Sequence, residues 1–162
     1  MIVSRMESHP FNINMQHYGC AALQNLALNE KNRVAIAEAK GITTILFAMK
    51  THSPNATVQE YGCGALSNLA VNHDKNRVTI AQKEGITMIL SAMKTHSSNA
   101  NVQYSSCGAL WNLALNNGYN KMAISDAGGK AAIEAALRNH SSNAGIQEKG
   151  NGALCILAQS GK

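Results

Sequence analysis

An all-α solenoid is the fold this sequence predicts, and three observations predict it. The first is a tandem repeat. Gly19-Cys20-Ala21-Ala22-Leu23, Gly62-Cys63-Gly64-Ala65-Leu66, Ser106-Cys107-Gly108-Ala109-Leu110 and Gly152-Ala153-Leu154 recur at spacings of 43, 44 and 44 residues. The second is the closeness of two units: Glu30 to Asn72 and Asp74 to Asn116 share 29 of 43 positions, with His73 the extra residue between them. The third is composition. The chain is 45% hydrophobic but only 4% aromatic, its apolar content is carried by Ala, Leu, Ile and Val, and it contains 18 Asn, a mixture that suits helices with many capped ends.

Three complete units, 30–73, 74–116 and 117–160, are expected to follow a partial unit over 1–29, all in one domain spanning 1–162. Ile2 to Met6 and His9 match Ile45 to Met49 and His52, which is why the first unit reads as partial. A chain of 162 residues buries about two thirds of the surface its unfolded form exposes, so its core needs neither disulfide nor metal.

Each unit divides into three helices. Asn32, Asn76 and Asn120 precede short apolar runs and are the expected N-caps of the first helix, with Gly41, Gly85 and Gly129 closing it. The second helix carries an i, i+1, i+3, i+4 stripe through Ile45, Leu46, Ala48 and Met49, and through Ile89, Leu90, Ala92 and Met93. Lys50, Lys94 and Arg138 fall in its last turn, where the helix dipole favours a cation. His9, His52, His96 and His140 recur just beyond, and helix-end hydrogen bonding is their expected role. Asn12, Asn55, Asn99 and Asn143 then cap a long third helix.

Three helices per unit, this period, and a last helix ending Ser67-Asn68-Leu69-Ala70 or Trp111-Asn112-Leu113-Ala114 resemble the armadillo repeat over nearly the whole chain. The Gly-Cys-x-Ala-Leu-x-Asn-Leu-Ala wording is similar to armadillo arrays of large multidomain proteins, including leucine-rich repeat kinases. The resemblance implies a right-handed α-solenoid of three-helix armadillo-type repeats, whose third helices line a concave groove. Fold alone does not name what such a groove holds.

At about 100° per residue, Val58, Gly62, Ala65, Leu66 and Leu69 form the buried stripe of one third helix. Glu60, Tyr61, Gly64 and Ser67 fall on the other side of Asn68 and become groove positions under the resemblance. Between Val58–Ala70 and Val102–Ala114 only four positions differ, Glu60/Tyr104, Tyr61/Ser105, Gly62/Ser106 and Ser67/Trp111, and three of these are on the groove side. Units that keep a core and change one face fit a surface that reads a partner.

The expected partner-binding residues are therefore Gln24, Asn25, Glu60, Asn68, Tyr104, Trp111 and Asn112. A side-chain amide both donates and accepts, so an Asn in each unit can pair with an extended chain whatever its side chains are. Helices about 10 Å apart match two to three extended residues. In peptide-binding armadillo proteins a Trp one turn earlier joins such an Asn. Here Ala21, Gly64, Gly108 and Gly152 stand at those positions and Ile156 replaces the fourth Asn, so Trp-walled pockets for basic peptides are not expected. The residues also allow a second reading, in which these Asn bond backbone groups within the stack. Trp111, the single Trp, is the expected apolar anchor beside Tyr104, or else a cover for the stack edge.

Other signals point away from chemistry. Cys20, Cys63 and Cys107 share one repeat position, about 10 Å apart in adjacent helices, beyond the ~7 Å limit for a disulfide and too far to share a zinc. Gly128-Gly129-Lys130 lacks the rest of a phosphate loop. Lys130 and Glu134 replace Ile86 and Leu90, which fits a solvent-capping last unit. A row of Lys31, Arg33, Lys75, Arg77 and Lys121 underlies a net charge of +5, but it is expected on a solvated outer edge without interleaved aromatics, which disfavours nucleic acid. No nucleophile, base and orienting group fall together, so no enzyme, cofactor or metal is expected. With no membrane-length apolar run and no signal-peptide order, the expected setting is cytoplasmic or nuclear.

The function expected is thus a non-catalytic module that binds a protein or peptide segment. The alternative is a structural segment of a longer array, or a unit that self-associates through apolar surface around Ile2, Val3, Met6 and Ile13.

Overall fold

A computed structural model describes residues 1–159; the unit boundary expected at residue 160 and the chain end at 162 lie outside the described residues. The described residues form eleven helices and no strand. Helices α1 (Ile2–Ser8) and α2 (Ile13–Leu26) precede three triplets: α3 (Glu30–Glu38), α4 (Gly41–Thr51) and α5 (Ala56–Ala70); α6 (Asp74–Gln82), α7 (Gly85–Thr95) and α8 (Ala100–Ala114); α9 (Gly118–Asp126), α10 (Gly129–Asn139) and α11 (Ala144–Ala158). The third helices α2, α5, α8 and α11 pack side by side along the stack and form its most extensive contacts. The structure is an α-solenoid.

The core is the aligned apolar stripe of those helices. Leu66, Leu69, Leu110 and Leu113 are fully buried, each contributing about 2 kcal/mol through removal of apolar surface from water. Asn12, Asn55, Asn99 and Asn143 cap the third helices, their side chains accepting from the backbone N–H groups of Met15, Val58, Val102 and Ile146.

A buried glutamine fixes how each third helix folds back on the second. Gln59 Nε2 donates to Met49 O at 2.9 Å, a carbonyl that the end of α4 leaves unpaired, and to His52 O at 3.1 Å, which also accepts from Asn55 N–H. Gln16, Gln103 and Gln147 repeat the arrangement.

Four expectations are corrected. The first helices begin three residues earlier than expected, capped by Asn29, His73 and Asn117 rather than by Asn32, Asn76 and Asn120. Asn76 and Asn120 are instead buried, donating to Leu69 O and Leu113 O at the ends of the third helices. Gly41, Gly85 and Gly129 open the second helix rather than close the first. A Cβ there would lie within 2.8 Å of the carbonyl oxygen of Ile36, Ile80 or Ile124, closer than real Cβ atoms approach, so only glycine fits. The chain reverses just before each, through Lys40 at φ 63°, Glu84 at φ 63° and Gly128 at φ 81°.

The basic row is not evenly solvated. Arg33 is 8% exposed and Arg77 3%, because both guanidinium groups turn inward to backbone carbonyls: Arg33 Nη1 to Ala27 O at 3.0 Å, Arg77 Nε to Asn112 O at 3.0 Å. Val3 and Met6 are likewise buried, since α1 folds onto α2 and Met6 lies against Gly19. Of the apolar surface expected at that end, Ile13 remains exposed and Ile2 half-buried.

Candidate partner-binding groove

The third-helix face holds a depression of about 660 Å³, spanning α2 to α11. It brings together five of the seven expected residues, Gln24, Asn68, Tyr104, Trp111 and Asn112. Asn25 is exposed but outside it, and Glu60 is half-buried outside it, accepting from Asn101 Nδ2 at 3.3 Å.

The amide ladder is built into the stack. Asn68 Nδ2 donates to Gln24 O at 2.9 Å, and Asn112 Nδ2 donates to Ser67 O at 3.2 Å and Ser67 Oγ at 3.0 Å. These bonds fix the orientation of each amide. The Oδ1 atoms accept no bond among the described residues, so each amide keeps a free acceptor.

Trp111 is half-buried, not a free-standing anchor. Its ring lies against Gly152 of the next third helix, where an added Cβ would come within 2.9 Å of the indole. Lys149 Nζ sits 5.1 Å from the ring centroid, a cation–π contact that covers part of its open side. Gly64 lines the depression as expected, but it is buried against the side chain of Gln24 rather than open. These small residues let the neighbouring unit's larger side chain settle between helices. Gly108 differs: a Cβ there would meet only Ser67 Oγ at 3.4 Å and Lys149 Cδ at 4.0 Å.

An apolar rail escaped the sequence reading. Leu28, Val71 and Leu115 stand at one repeat position immediately beyond the third helices and line the same depression. They follow the helix rather than sit on it, Val71 and Leu115 having extended backbone at ψ 119° and 121°, so no helical period includes them. Their spacing of 43 and 44 residues was the available signal.

No cysteine lines this depression. Cys20, Cys63 and Cys107 are free and buried, and burial pushes each thiol up to about 12, whereas Cys155 is free and exposed. No group of His, Cys, Asp and Glu among the described residues is arranged to hold a metal ion. No helix among them is long and apolar enough to cross a membrane. A second depression of about 640 Å³ lies on the opposite side of the stack, between α7 and α10, where Ala132 replaces the bulkier Met88.

A protein-family profile described as the LRRK2 ARM repeat matches residues 1–161. No curated protein matches the chain. Two engineered proteins, both crystal structures from the Northeast Structural Genomics Consortium, share the fold. One aligns with a TM-score of 0.83 at 24% identity, covering 96% of this chain and 60% of its own. The other aligns with a TM-score of 0.84 at 24% identity, covering 99% and 37%. This chain therefore spans less than two thirds of either, and the likeness bears on fold alone.

Proposed function

Because the chain belongs to the LRRK2 ARM repeat family, we propose that it is a non-catalytic interaction module whose third-helix groove binds an extended segment of a partner protein. The observation that supports this most is the convergence of Asn68, Asn112, Tyr104 and Trp111 on one depression, at or beside the positions where the two most similar units diverge. The Oδ1 atoms of Asn68 and Asn112 accept N–H groups of the bound backbone. Leu28, Val71 and Leu115 take apolar side chains along one wall, and Trp111 with Lys149 forms the far end. Among the described residues Lys149 is the one charged side chain lining the depression; it pairs with the exposed Glu148 at 3.3 Å and can exchange that partner for a carboxylate of the bound segment, while Glu60 and Asn25 lie beside the track. Free thiols, three of them buried, support a reducing compartment, cytoplasmic or nuclear.

A displayed library of random dodecapeptides panned on the chain tests this reading. Recovered peptides are expected to alter Trp111 emission and to lose binding to Gly108→Arg, which fills the depression where a Cβ is tolerated. Equal binding to Gly108→Arg, or no recovered peptide, contradicts it.

A further inference from the structure

The seam between α7 and α10 is larger than its counterpart one unit earlier. Between α4 and α7 the seam is lined by Met49, Gln59, Met88 and Ala92, among others, and encloses about 230 Å³. The same repeat positions between α7 and α10 hold Met93, Gln103, Ala132 and Ala136, and there the depression reaches about 640 Å³. Of these four positions only Met88/Ala132 differs, so the side chain that fills the first seam is missing from the second.

Two side chains in the larger seam carry unused polar groups. Gln103 is 2% exposed, and its Nε2 is engaged by Met93 O at 2.9 Å and His96 O at 3.0 Å. Its Oε1 accepts no bond among the described residues, although the residue lines the seam. Lys94 is the one charged side chain among the described residues that line it. Arg138 stands in the last turn of α10 as Lys94 does in that of α7, so both cations lie at the same end. Both are exposed, and neither is in an ion pair among the described residues. Glu84 and Glu134 lie outside the lining.

The backbone groups along α7 and α10 are engaged within those helices. An extended chain laid between them would therefore bury its own peptide groups without partners, whereas a helix satisfies its own. Ala131, Ala135 and Asn139 line the seam at i, i+4 and i+8, the ridge spacing against which another helix packs. The eleven residues of α10 give that wall a length of about 16 Å, or three turns.

We infer that the seam between α7 and α10 is a second docking site, separate from the third-helix groove, and that it takes an amphipathic helix of a partner protein. A Leu or Met side chain of that helix occupies the space left at Ala132, against Leu90 and Met93. An Asp or Glu of the helix pairs with Lys94 and Arg138, and a side-chain N–H or O–H donates to Gln103 Oε1.

Random octadecapeptides displayed and panned on the full chain test the inference, with each recovered peptide then titrated against Gly108→Arg, Ala132→Met and Lys94→Glu. The expected result is a class of acidic, amphipathic peptides that gain helical circular dichroism on binding and keep their affinity for Gly108→Arg. Filling the seam with Ala132→Met should weaken them by about tenfold or more, and the charge reversal Lys94→Glu by about tenfold. Met is the residue the repeat itself carries at this position, so the melting curve of Ala132→Met should match or exceed that of the unsubstituted chain. The inference is overturned if no peptide keeps its affinity for Gly108→Arg, if such peptides ignore Ala132→Met or Lys94→Glu, or if they stay non-helical when bound. Mass that rises with concentration in the unsubstituted chain but not in Ala132→Met would make a second copy the occupant and overturn it too.

Discussion

Burial decides the fate of individual side chains that the sequence presents as equals. Four cysteines occur in the chain, yet three lie in the core between third helices and one on the surface. Because the thiolate is the nucleophile, Cys20, Cys63 and Cys107, raised to about 12 by burial, should resist iodoacetamide at pH 8 while Cys155 reacts. Mass spectrometry of the native chain checks this as a single adduct, rising to four in denaturant. Raised thiol values also carry a sign: the folded state holds protons the unfolded state releases, so stability is full below about pH 9 and falls as pH climbs toward 12. Glu84 is a second case. Its φ of 63° is left-handed, and the equivalent position in the last unit is Gly128. Glu84→Gly should raise unfolding free energy in urea by about 0.5 to 1 kcal/mol, relief of the left-handed strain exceeding the glycine's added chain entropy.

Helices communicate through polar staples as much as through the apolar stripe. Gln59→Ala would leave the carbonyl of Met49 unpaired in a buried place, while His52 O keeps its bond from Asn55 N–H, at a cost of about 2 kcal/mol in a urea titration. Gly152→Ala would press on the Trp111 ring, destabilising by about 1 to 3 kcal/mol through overpacking, and should shift Trp111 emission to longer wavelength as the indole is displaced. Elements with local punctuation were legible in the sequence. The third helices announced themselves through Asn12, Asn55, Asn99 and Asn143, which stand just before an amphipathic run and do cap it. The first helices misled, because Asn76 and Asn120 look like caps yet act one layer deeper, while the cap of α6 is His73, a residue with no strong capping preference. Trp111's seat on Gly152 was illegible for another reason: the two residues lie on different units, and nothing local pairs them.

Across the whole molecule, the repeat sets the geometry and departures from it shape the two depressions. Ser67 becomes Trp111 on the third-helix face, and Met88 becomes Ala132 in the seam between α7 and α10. The repeat period made the solenoid readable. The groove was readable only in part, since Tyr104, Trp111 and the Asn ladder sit on a helical face whereas Leu28, Val71 and Leu115 lie past the helix ends. Hydrogen exchange of the chain with and without a panned dodecapeptide tests the central claim most directly, because it separates these surfaces. The account predicts slowed exchange in the C-terminal turns of α5 and α8 around Asn68, Trp111 and Asn112. Slowing confined to the seam between α7 and α10, or to the edge formed by α1 and α2, would contradict it.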